Sequence, residues 1–68
     1  MENKHYICRC LLQTLQATDN AADLLSLQYD GNKETVKATF ASGGERVINV
    51  AMDSGTAMIR DIMKNLGC

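Results

Sequence analysis

The residues able to do chemistry are few and scattered. His5-x-x-Cys8-x-Cys10 sets the only histidine near two of the three cysteines, the third being Cys68, and imidazole with thiolate is a zinc-type donor set. The spacing works against convergence. On a helix His5 and Cys8 share a face, but Cys10 lies about 200° round from Cys8; on a strand Cys8 and Cys10 share a face and His5 leaves it. Small buried thiols are therefore expected, with no metal and no cofactor. An odd cysteine count with no charged-then-apolar leader predicts reduced thiols, no disulfide framework and a cytoplasmic location.

Catalysis needs a positioned acid, base or nucleophile, and His5 stands close to a terminus that is prone to fray. Ser42 sits beside Gly43 and Gly44 without the strand-to-helix elbow that strains a nucleophile, so it reads as a turn residue. The carboxylate pairs Asp19 with Asp23 and Asp53 with Asp61 fit turns, capping and a solvated helix face. Asp30-x-Asn32-x-Glu34 follows the opening rhythm of a calcium loop, but its glycine is in the second position and no acid closes a twelve-residue loop. Gly43-Gly44 lacks the Lys-Ser/Thr of a phosphate cradle and leads into a strand. The turn at Ser54-Gly55-Thr56 could hold an anion, yet capping explains it. No catalytic residue is assigned, and the expectation is a protein that is not an enzyme.

With 68 residues and a net charge of -1, the chain makes one domain, without the long-range field that gathers a polyanion. Near-neutrality favours self-association. Apolar runs of only a few residues exclude a membrane span. Tyr6, Tyr29 and Phe40 are the only aromatics, so the core must be aliphatic and rich in methionine. Pro is absent, and no repeat or biased stretch divides residues 1–68.

The elements follow from periodicity. Ile7, Leu11 and Leu15 recur every four residues with Cys8 and Leu12 beside them, which predicts a helix from about Asn3 to Ala17. A strand placing Tyr6, Cys8 and Cys10 on one face accounts for fewer of the leucines. Thr18 to Asp23 supplies turn formers. Leu25, Leu27 and Tyr29 alternate with polar residues in a first strand, and Asp30-Gly31-Asn32-Lys33 is a hairpin turn whose Gly and Asn tolerate positive φ. Val36, Ala38 and Phe40 mark the inner face of a second strand. After Ser42-Gly43-Gly44, a third strand from Arg46 to Met52 points Ile48, Val50 and Met52 inward. Asp53 or Ser54 caps a last helix carrying Met58, Ile59, Ile62, Met63 and Leu66, with Gly67 as its left-handed end. The expected fold is α+β: a single α-β-β-β-α domain, a three-stranded antiparallel meander with two helices packed on one face.

That order resembles the double-stranded-RNA-binding domain, which grips phosphates with lysines at the start of its last helix. Here the position reads Ser54-Gly55-Thr56-Ala57-Met58-Ile59-Arg60-Asp61, with one base and one acid. A small nucleic-acid-binding regulator is the alternative function, and nucleic acid is not the expected partner. The expected function is a non-catalytic protein-interaction domain that self-associates or meets an unidentified protein. Its candidate interface is Met58, Ile62 and Leu66 on the last helix, with Leu24 and Val47 on the otherwise polar sheet face. The first and third strands are the edges of the meander, and either could pair with a second copy.

Overall fold

The computed structural model describes residues 3–67, so Cys68 lies outside the described residues. Asn3 caps the first helix, α1 (Lys4–Gln16), by accepting from the Tyr6 N–H at 3.0 Å. Thr18 closes its far end, donating from Oγ1 to the Leu15 carbonyl at 2.7 Å and accepting from Ala21 N–H. This cap turns the chain back so that Ala21 is buried before the sheet begins.

The sheet is antiparallel, in the order β1 (Leu24–Asp30), β2 (Thr35–Phe40), β3 (Glu45–Asn49). α2 (Gly55–Asn65) follows, capped by Ser54 Oγ, which accepts from Ala57 N–H at 3.2 Å. α1 packs on β1, and α2 touches both α1 and β3. One core joins Cys8, Leu11 and Leu15 of α1 and Met58 and Ile62 of α2 to Leu24, Leu27, Val36, Ala38 and Ile48 of the sheet, with Ala21 and Val50 from the connections. The expected α-β-β-β-α architecture is the one observed. Among the described residues the core holds no aromatic ring; Tyr29 and Phe40 pack at its margin.

The bulge in β1 and the end of β3 depart from strict alternation, and each of the two hairpins has its own turn geometry. Leu24 lies opposite Phe40 while Ser26 lies opposite Thr39, so Leu25 is the extra residue of a β-bulge. The bulge resets the parity of β1. Leu24 and Leu27 are both buried, whereas Leu25, expected inside, is 57 % exposed. Met52, also expected inside, is 95 % exposed, because β3 has ended and the chain turns, with Ala51 N–H donating to Asn49 Oδ1 and Asp53 N–H to the Val50 carbonyl. In the first hairpin, Asp30 Oδ1 accepts from Asn32 and Lys33 N–H at 2.8 and 3.2 Å, and the left-handed residue is Glu34, at φ 53°, with neither Gly31 nor Asn32 at positive φ. In the second, Gly43 takes φ 94°, its N–H donating to Phe40 C=O, while Gly44 C=O accepts from Phe40 N–H. A left-handed glycine of this kind matches the twist of a short hairpin.

Candidate interaction surface

Ladder geometry decides which backbone groups of β3 remain available. Phe40 N–H donates to Gly44 C=O at 2.9 Å and Val50 N–H to Glu34 C=O at 3.0 Å, one at each end of the β2–β3 pairing. In an antiparallel ladder a residue's N–H and C=O point to the same side, and successive residues alternate. Arg46 and Ile48 therefore bond to β2, while the peptide groups of Glu45, Val47 and Asn49 point to the open edge. None of these three appears in a backbone hydrogen bond outside the sheet among the described residues.

The two sheet edges are not equivalent. At β1, α1 packs along the strand, the Leu25 bulge breaks the ladder, and Gln16 Nε2 donates to the Leu24 carbonyl at 2.9 Å. Bulges and covering elements are the usual protections of an edge. β3 has a regular register and no proline. Its long inward side chain, Arg46, is drawn away to donate to the Asn65 carbonyl, where a cation complements the C-terminus of α2.

Side chains of the same odd residues face outward. Lys37 and Glu45 form an ion pair at 3.1 Å, and Val47, directly opposite Lys37, is 63 % exposed. Val47 also lines a shallow hollow of about 590 Å³ on the outer sheet face with Gln28, Thr35, Lys37 and Glu45. It thus belongs to both the outer face and the open edge.

The sequence-derived interface set divides under the fold. Met58 and Ile62 are fully buried and Leu24 is 1 % exposed, so these three belong to the chain's own core. The bulge turned Leu24 inward, and the apolar stripe of α2 faces the sheet. Leu66 is half-buried, packed against the core, and only Val47 is open to solvent. Periodicity gave Tyr6 on α1 no surface role, though it is 58 % exposed, and put Met63 on the apolar stripe of α2, where it is 37 % exposed. Tyr6 lines a small apolar hollow between the helices with Ile7, Cys10, Leu11, Thr14 and Ile59.

The chemical candidates are dispersed. His5 meets the Tyr29 ring edge-on at 5.1 Å between centroids. Cys8 is buried, which pushes its thiol above the ordinary range, and Cys10 is exposed. Among the described residues no three His, Cys, Asp or Glu side chains are placed to hold a metal. Ser42, in the β2–β3 turn, lies at the opposite end of the sheet from His5. Asp53 and Asp61 do come together. Asp53 Oδ2 is shut off from solvent without a donor, and two facing carboxylate oxygens have no hydrogen between them unless one is protonated. A hydrogen bond with Asp61, then desolvation, then the Asp61 charge raise the Asp53 carboxyl above its usual range, with Lys4 pulling it back. Lys4 Nζ lies 3.5 Å from the Val50 carbonyl and 5.7 Å from the centre of the Tyr29 ring.

No described helix is long and apolar enough to cross a membrane. Comparison with protein-family models, curated proteins and solved structures returned no match.

Proposed function

We propose that this chain is a small, non-catalytic protein-interaction domain that associates with a second copy of itself. The observation that carries the reading is the unprotected β3 edge, where outward peptide groups coincide with the exposed apolar side chain of Val47. An exposed regular edge strand is a template for another strand, and a closed two-fold contact satisfies it without building a fibre. A cytoplasmic setting is part of the proposal, since Cys8 and Cys10 are free thiols. Sedimentation equilibrium over a concentration series, with reductant to exclude cross-linking through Cys68, tests it. The expected result is a mass rising from the 7.5 kDa of one chain towards twice that. A one-chain mass at every concentration would leave a foreign protein as the partner.

A second reading, a nucleic-acid-binding regulator, draws on one observation. The two helices carry Lys4, Arg9, Arg60 and Lys64 against the single acid Asp61. The start of α2 has no base before Arg60, so the reading ranks second. Titration of labelled duplex RNA near physiological salt tests it, and submicromolar affinity would place it first.

A further inference from the structure

We infer that two copies of this chain pair antiparallel through β3 about a two-fold axis at Val47, giving one continuous six-stranded sheet. The inference rests on the self-association reading above and adds the edge, the register and the residues that set it.

Hydrogen-bond parity restricts the possibilities first. Only Glu45, Val47 and Asn49 present peptide groups at the edge, so odd residues must pair with odd residues of the second copy. Charge then selects among the registers this allows. An axis at Glu45 would set two carboxylates face to face, and an axis at Arg46 would do the same to two guanidinium groups. Like charges directly opposite are destabilising. With the axis at Val47, Val47 meets Val47 of the second copy, and Glu45 meets Asn49 of the second copy in both symmetry-related places. Moving the axis on to Ile48 would join only Val47 with Asn49 and leave Glu45 without a strand partner.

The Val47 register uses every outward group of the strand. Three pairs exchanging two bonds each give about six backbone hydrogen bonds. Asn49 Oδ1 already accepts from Ala51 N–H at 2.9 Å, so its side-chain amide has N–H groups left to donate to the facing Glu45 carboxylate. Lys37 holds that carboxylate in place at 3.1 Å. The two valines form an apolar pair at the axis, flanked on each side by polar pairs. On the inner face, Arg46 stands opposite Ile48 of the second copy and is held back by Asn65. Alternation across the extended sheet keeps both pairs of helices on one face.

The test combines NMR with two variants, all with reductant present. In a half-labelled mixture of the full chain, the Arg46–Ile48 relation is a non-hydrogen-bonded pair with close Cα atoms, so a filtered NOE between the Arg46 Hα and the Ile48 Hα of the other copy is expected. Val47→Pro removes an N–H that the chain's own ladder does not use. It is expected to keep the far-ultraviolet circular dichroism of the parent and to weaken association about tenfold or more. Should Val47→Pro fail to fold, Val47→Glu replaces it, since it faces Lys37 favourably within its own chain but sets like charges opposite each other at the axis, and should produce the same loss. A dimer that lacks the intermolecular NOE and is indifferent to the folded variant overturns the register while the self-association reading survives. A parent that is monomeric at every concentration overturns both.

Discussion

Val50 donates its N–H to the carbonyl of Glu34 at 3.0 Å, and Glu34 itself stands in the left-handed region at φ 53°. The contact extends the β2–β3 ladder past its last paired residues, Thr35 and Asn49. Glu34 must therefore close the first hairpin while aiming its carbonyl at the next strand. A left-handed conformation costs a residue with a Cβ roughly 1–2 kcal/mol, and glycine avoids that cost while adding freedom to the unfolded chain. Glu34→Gly is expected to raise stability by about 0.5–1 kcal/mol on balance. The urea midpoint measures it, and an unchanged or lower midpoint would contradict the assigned strain.

The bulge in β1 gives adjacent leucines opposite environments. Leu24→Ala removes a side chain that is 1 % exposed, and cavity formation should cost about 2–5 kcal/mol. Leu25→Ala touches solvent and should stay within about 0.5 kcal/mol of the parent. Denaturant unfolding of both variants decides the parity. A larger loss at Leu25 would restore simple alternation and remove the bulge.

The Asp53–Asp61 pair reverses the usual pH dependence of a carboxylate. Asp53 titrates above its unfolded value because of the Asp61 hydrogen bond, desolvation and the Asp61 charge, so the folded state binds the proton more tightly than the unfolded one. Its contribution is fully present below the unfolded carboxylate range, near about pH 4, and is lost as pH rises through the raised folded value. Asp53→Asn keeps a donor for Asp61 at every pH. It should melt higher than the parent at neutral pH, with the difference closing in acid. A difference that widens in acid would contradict the pairing.

Much of the fold was legible because its periodicities are clean. The four-residue recurrence of Ile7, Leu11 and Leu15 marked α1, and Ser54 before the stripe of Met58 and Ile62 marked the start of α2. The bulge was harder, though it left a signal. Leu24 and Leu27 are three apart, so no regular strand could bury both, and an inserted residue is the way for both to face inward. Alternation misplaces Met52 because β3 ends at Asn49, whose Oδ1 captures the Ala51 N–H. Met58 and Ile62 cannot be both an outward surface and the stripe that covers the sheet, and the fold uses them for the second. An open β3 edge was foreseeable from the order of a meander. Which peptide groups point outwards depends on the pairing register, and no spacing in the chain announces that.

The most direct test of association through β3 is amide hydrogen exchange at Glu45, Val47 and Asn49, followed residue by residue by NMR at low and high protein concentration. Arg46 and Ile48, bonded within the chain, should be protected throughout, whereas the three odd-numbered amides should exchange rapidly when dilute and become protected as concentration rises. Rapid exchange of Val47 at every concentration, in a sample whose Ile48 amide stays protected, would contradict the claim.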